Sequence, residues 1–176
     1  MKPLGAVKVI CKPSDIAGTG AFAMQDIKKD TFVFRYGGVL HKWTPTLMDE
    51  LHDLHQTKDV GYLFEVADKD ILDGTDSTCQ ARFLNHSCQV GFFCSFTCFY
   101  FNLIIISLQP NLLAQRTEDG KDVEFIALRD VKFGEELTFD YTGCMKSCKS
   151  SKSSKSSNKI NNMQCNCKAQ GCIGVV

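Results

Sequence analysis

One uncharged stretch, Val90 to Gln109, constrains this chain more than any other feature. It is mostly apolar, and it separates two short segments, Arg82-Phe83-Leu84-Asn85-His86-Ser87-Cys88-Gln89 and Pro110-Asn111-Leu112. A fold must span a membrane with such a stretch, expose it as a loop, or be complete without it. As a membrane helix it has the length and lacks charge. Yet Ser95, Thr97, Asn102 and Ser107 interrupt it, and no Lys or Arg flanks it closely. As a loop it would present an apolar patch of unusual size. As translated intron it explains itself best. It begins with Val, whose codons start GT, and ends with Gln, which CAG encodes, and its Phe, Ile, Leu, Cys, Tyr and Ser residues use T-rich codons. Removing it joins Gln89 directly to Pro110.

The chain of 176 residues is one domain's worth and can bury a core. Its net charge of zero gives no overall field toward nucleic acid or membrane. The N-terminus, Met1 to Ala6, has no apolar signal core, so the thiols of its 10 cysteines are expected to stay reduced. Close Cys spacings then point to metal rather than disulfides.

Val7 to Ile10, Ala21 to Met24 and Thr31 to Tyr36 read as strands, with a glycine loop from Ser14 to Gly20 and a turn at Lys28-Lys29-Asp30. Thr44 to His55 carries Leu47, Met48, Leu51 and Leu54 at helical spacing. Tyr62 to Val66, Asp70 to Asp73, Lys121 to Leu128 and Leu137 to Phe139 read as further strands. Many short strands with glycine turns and little helix indicate a mainly β domain. Lys146 to Asn162 is a Ser/Lys/Asn tract with almost nothing to bury, and reads as a flexible linker. The organisation is a domain over 7–144, interrupted at 90–109, then a linker over 145–163 and a cysteine-bearing tail over 164–176.

In that tail, Cys165, Cys167 and Cys172 are close enough to take three corners of a tetrahedral zinc site, with a fourth ligand to come from Cys88, Cys144 or Cys148. Asn85-His86-Ser87-Cys88 also reads as a Cys/His pair or a polar turn, although neighbours in sequence rarely form a nucleophilic dyad. Glu135 to Tyr141 reads as a strand end with Phe139 and Tyr141 on one face.

Taken in order, a Gly-x-Gly loop, Tyr62-Leu63-Phe64, the Arg82 to Cys88 segment, Glu136-Leu137-Thr138-Phe139-Asp140-Tyr141 and C-x-C-x4-C resemble the SET-domain protein lysine methyltransferases with a post-SET zinc tail. The resemblance runs from about Val7 to Cys172, apart from the insert and the linker. It implies a mainly β fold of short curled sheets with a pseudoknot through Asn85 and Cys88, few short helices and a C-terminal zinc module. It implies methyl transfer from S-adenosylmethionine to a lysine amine, the two entering from opposite faces of a narrow channel.

Carried over residue by residue, the resemblance assigns cofactor contacts to Ala17, Gly18, Thr19, Gly20, Tyr62, Arg82, Phe83, Asn85 and His86. It makes Tyr141 the catalytic tyrosine, lines the channel with Tyr36, and sets Phe139 where Phe or Tyr governs how many methyls are added. Phenylalanine there implies di- or trimethylation. Cys88 becomes the fourth zinc ligand beside Cys165, Cys167 and Cys172, leaving Cys144 and Cys148 as bystanders. The implied substrate is a histone H3 tail, with the lysine-nine class expected on overall resemblance. Nuclear, chromosomal localisation and chromatin partners go with it; a membrane and direct nucleic-acid contact do not.

Several residues depart from the family pattern. No pre-SET cysteine cluster precedes the domain, where Cys11 stands alone. Arg35 and Val39 stand where glutamates are usual, Thr78-Cys79 replaces Gly-Asn, and Ile173 replaces an Arg. The alternative function is a catalytically inactive SET module that binds a histone tail or chromatin partner. A weaker third reading is a zinc-binding adaptor.

Overall fold

A computed structural model describes residues 6–55, 62–88 and 109–141. Residues 90–108 of the insert, the linker, Cys144, Cys148 and the tail with Cys165, Cys167 and Cys172 lie outside the described residues. The described residues form ten strands: β1 (Val9–Pro13), β2 (Thr19–Ala23), β3 (Phe32–Arg35), β4 (Val39–His41), β5 (Leu63–Glu65), β6 (Ile71–Asp73), β7 (Asn85–His86), β8 (Leu112–Arg116), β9 (Val123–Ala127) and β10 (Glu136–Phe139). A single α-helix, α1 (Leu47–His55), follows β4 among the described residues. The mainly β expectation holds, and the helix starts three residues after Thr44, just past Pro45.

The larger sheet has the order β1-β2-β10-β8-β9-β3, with β7 also pairing β10. The smaller has the order β4-β6-β5 and is antiparallel throughout. The strands are short because glycines and turns punctuate them. At the Lys28-Lys29-Asp30 turn, Asp30 takes a left-handed φ of 63°, which Asp tolerates better than most residues. Alternation along β9 buries Val123, Phe125 and Ala127 and turns Glu124 and Ile126 outward. Phe125, fully buried, meets the rings of Phe34, Tyr36, Phe64 and Phe139. A second cluster of Leu47, Leu51 and Ile71 seats α1 on the small sheet.

β10 is the strand that positions the site. Its first half pairs antiparallel with β2, through Glu136–Phe22 and Leu137–Ala21. Its second half pairs parallel with β7, through Thr138–Asn85 and Phe139–His86. On the opposite edge Phe139 aligns with Leu112 of β8, also parallel. The strands before and after the interrupting segment therefore flank the same residue of β10.

β4, β7 and β8 were not evident as strands in the sequence. β7 is two residues long and holds its place only through β10. β8 begins beside the apolar insert, which hides the alternation that Leu112 to Arg116 would otherwise show.

Candidate functional site

Asn85 and Asn111 stand on the two edges of β10. Asn85 Nδ2 donates to Glu136 Oε1 at 2.8 Å and to the Ala17 carbonyl at 3.1 Å. Among the described residues no donor reaches its Oδ1. Asn111 is 1% exposed, and its Oδ1 accepts the Thr138 N–H at 2.9 Å. Its Nδ2 donates to the Glu136 carbonyl at 2.7 Å and to Glu135 Oε1 at 3.0 Å. A buried amide with every group satisfied locks its surroundings into one arrangement. Glu135 is also paired with Arg129 at 2.6 Å. Burial acts to raise its carboxyl, but hydrogen bonds from Arg129, Asn111 and the Lys132 N–H outweigh that and hold it below its ordinary value.

The glycine loop joins β1 to β2, which pair antiparallel. Gly18 has a left-handed φ of 44°, and a Cβ there would meet nothing within 4 Å. The loop thus offers open backbone to a ligand, which a glycine at this conformation permits.

Around the far end of β10 the aromatic residues converge. Phe139 stacks on Phe64 with centroids 5.6 Å apart and lies 4.6 Å from the Tyr141 ring. Tyr36 lies 4.7 Å from Phe64. The Tyr141 hydroxyl donates to the Leu84 carbonyl at 2.6 Å, and the Tyr36 hydroxyl to the Tyr62 carbonyl at 2.8 Å. Each phenol donates its O–H to a backbone carbonyl, so each oxygen has lone pairs left to accept from an incoming amine. Burial pushes both phenols well above their ordinary value, so neither serves as a base near neutral pH. Gly74 is required beside them, since any Cβ there would overlap the Tyr36 ring.

His86 links this cluster to Cys88. The Tyr141 N–H donates to His86 Nδ1 at 3.2 Å. In the neutral ring the proton therefore sits on Nε2, which lies 3.1 Å from Cys88 Sγ. Burial lowers the His86 pKa, although Asp140 opposes this, and so favours that neutral ring. Cys88 and His86 do meet, but with the ring donating toward sulfur. A nucleophilic dyad needs the reverse, a ring nitrogen free to take the thiol proton. The arrangement suits a thiolate that is a metal ligand, whose sulfur accepts hydrogen bonds. Among the described residues no three metal-ligating side chains come together.

Arg82 lies over the rings of Tyr62 and Phe83, 4.5 and 5.1 Å from their centroids. Its Nη1 donates to the Ser77 carbonyl at 3.0 Å. Of the departures, Arg35 is absorbed into the sheet surface through Glu124 at 2.6 Å and Asp122 at 3.4 Å. Val39 is 63% exposed, and Cys79 Sγ donates to the Arg35 carbonyl. The fold thus brings together Ala17 to Gly20 with Asn85, and Tyr36, Phe139 and Tyr141 with His86. Ser14, Asn111, Glu135 and Glu136 were missed as parts of this framework. A serine opening a glycine loop and paired glutamates before a strand were visible, but their partners were not.

Residues 18–142 match the SET-domain family. The chain is 28% identical to human Histone-lysine N-methyltransferase 2B over 90% of its own length and 5% of that protein's. It is 31% identical to the Neurospora crassa Histone-lysine N-methyltransferase, H3 lysine-4 specific, over 73% of its length and 8% of that protein's. It spans only these small fractions of the relatives. In structure it resembles a chain in the crystal structure of an active polycomb repressive complex 2 in the basal state, with a TM-score of 0.56 at 24% identity, covering 77% of this chain and 15% of that one. The lysine-nine class expected from overall resemblance finds no support here, because the relative named for a target lysine is named for lysine four. The match over residues 18–142, most of the chain, makes this chain a member of the SET-domain family.

Proposed function

We propose that this chain is the catalytic module of an S-adenosylmethionine-dependent histone-lysine N-methyltransferase acting on the histone H3 tail. Lysine four is the first choice of target, on the name of the Neurospora relative. The observation that carries the reading is one aromatic cluster holding two backbone-anchored phenols, Tyr141 against Phe139 and Tyr36 against Phe64, which stacks on Phe139, at the end of the strand that pairs with Asn85. The open Gly18 backbone and the unused Asn85 Oδ1 fit a ligand with amine and ribose donors.

In this reading Ala17, Gly18, Thr19 and Gly20 present backbone to the cofactor, and Asn85 Oδ1 accepts from its ammonium. His86, Tyr62, Arg82 and Phe83 complete that wall. When bound, S-adenosylmethionine supplies an electrophilic methyl group. Tyr36 and Tyr141 accept N–H bonds from the lysine amine and so aim its lone pair. Catalysis is then positioning and electrostatics, not proton abstraction by a side chain. The lysine loses its proton to water before it is enclosed, because the aromatic wall disfavours the ammonium. Phe139 brings no hydroxyl to the channel, leaving room for a methylated amine, hence di- or trimethylation. Cys88, with His86 donating to it, is one zinc ligand, and Cys165, Cys167 and Cys172 are the others. Such a site would tie the tail beside the channel. The proposed setting is chromatin in the nucleus.

The insert is proposed to be dispensable. His86 and Leu112 flank Phe139 on opposite edges, which puts them about 10 Å apart at ordinary strand spacing. Keeping 86–89 joined to 110–112 gives a reach of about 20 Å, enough to close the gap.

The test is labelled-methyl transfer to H3 peptides carrying lysine four or lysine nine alone, with and without residues 90–109. Transfer to the lysine-four peptide, lost by about a hundredfold or more in Tyr141→Phe with the fold kept, is the expected result. Peptide binding without any transfer by either form would instead mark an inactive binding module.

A further inference from the structure

The glycine loop is held in place by a carboxylate that the proposed chemistry does not use. Ser14 Oγ donates to Glu136 Oε1 at 2.7 Å, with Oε2 at 2.9 Å. The same Ser14 oxygen accepts the Ile16 N–H at 2.9 Å. The Ser14 N–H donates to the Gly18 carbonyl, also at 2.9 Å. Ser14 therefore closes the loop on itself from both its backbone and its side chain. From the other side Asn85 Nδ2 bonds both Glu136 Oε1 and the Ala17 carbonyl. Gly20 makes the convergence possible, because a Cβ there would overlap the Glu136 carboxylate and Ser14. One ionisable side chain at the head of β10 thus anchors the loop and the asparagine together.

We infer that Glu136 is a positioning residue for the cofactor loop, acting through Ser14 and Asn85. The inference rests on the proposed reading of Ala17 to Thr19 as a cofactor-binding backbone. Hydrogen bonds to a carboxylate are stronger than neutral ones. With both donors held by one carboxylate, the loop is ordered before the ligand arrives, and binding costs less ordering entropy. Glu136 fixes where the Asn85 amide points. It leaves the methyl-transfer step itself to the aromatic cluster, which lies at the other end of β10.

Titration calorimetry of the full chain with S-adenosylmethionine, beside steady-state kinetics and amide hydrogen exchange, tests this. Glu136→Gln keeps the shape but offers the loop one acceptor fewer. It is expected to weaken binding about tenfold and raise KM for S-adenosylmethionine similarly, while kcat at saturation changes by less than about threefold. Exchange at the Ser14 and Ile16 amides should speed up with no ligand present. Ser14→Ala should act in the same direction but more weakly, and the double variant should lose less than the sum of the two, because they share the Ser14–Glu136 link. Unchanged affinity and unchanged exchange in the folded variants would overturn the inference alone. So would a fall in kcat at constant affinity. Should Glu136→Gln fail to fold, Ser14→Ala decides by the same criteria. If the unmodified chain does not bind S-adenosylmethionine, the proposed function fails and takes this inference with it.

Discussion

The crossing at β10 and the small sheet β4-β6-β5 use the same kinds of residue to different ends. In the crossing, polar side chains are sunk inside the fold and satisfied there: Asn111 at 1% exposure bonds two backbone groups and a carboxylate. Beside the small sheet, the buried carboxylate of Asp70 reaches out to an exposed partner. Asp70 accepts the Trp43 N–H at 2.8 Å and Lys42 Nζ at 2.6 Å, but the Lys42 side chain is 72% exposed. The first arrangement fixes one geometry, since a broken partner leaves a buried group bare. The second ties a turn to a buried carboxylate through an exposed lysine, whose ammonium water can solvate when the pair opens. Only the first suits a site that must hold two tyrosines and an asparagine at fixed distances.

Substitutions can break or sharpen this contrast. The largest effect is expected for Phe125→Ala, which would hollow out the ring cluster behind Phe139 and cost about 4 kcal/mol in denaturant unfolding. Asn111→Leu should cost about 3 kcal/mol, because the Thr138 N–H and the Glu135 carboxylate lose a buried partner. A loss under about 0.5 kcal/mol would show that the crossing is no more demanding than a surface. Leu51→Ala, beneath α1, should cost about 2 kcal/mol, at the low end for a core leucine, because its cluster is small.

The pH response separates the regions further. Glu135 is held below its ordinary value in the folded chain, so it adds stability above about pH 4.3, the unfolded value. That stability is lost as pH falls through the lower folded value. Glu135→Gln should therefore flatten the acid side of the stability profile measured from pH 6 to pH 2. The Asp70 carboxyl is lowered first by Lys42 and then by the Trp43 N–H, with the same sign. Its contribution should be the smallest and should fade in about 1 M salt, whereas that of the crossing should persist.

Much of the small-scale structure was readable beforehand. The turn at Asp30, the alternation of β9 and the leucines of α1 follow from local pattern and steric rules. β7 did not, because two residues carry no periodicity and His86 joins a strand only where β10 supplies its partner. Glu136 shows the same limit within the site. Its place before Leu137-Thr138-Phe139 was plain, but its partner Ser14 lies 122 residues away.

The sequence alone determined which chemistry was available: a glycine loop, an Asn-His pair, two tyrosines and a phenylalanine, in an order that few families share. These are properties of side chains and their order. Tertiary structure decided what each group faces. The Tyr141 N–H on His86 Nδ1 turns the ring's proton toward Cys88, and the Leu84 carbonyl accepts a hydrogen bond from the Tyr141 hydroxyl. Donor and acceptor roles belong to pairs, and pairs this far apart in the chain exist only once β10 has been threaded between β7 and β8.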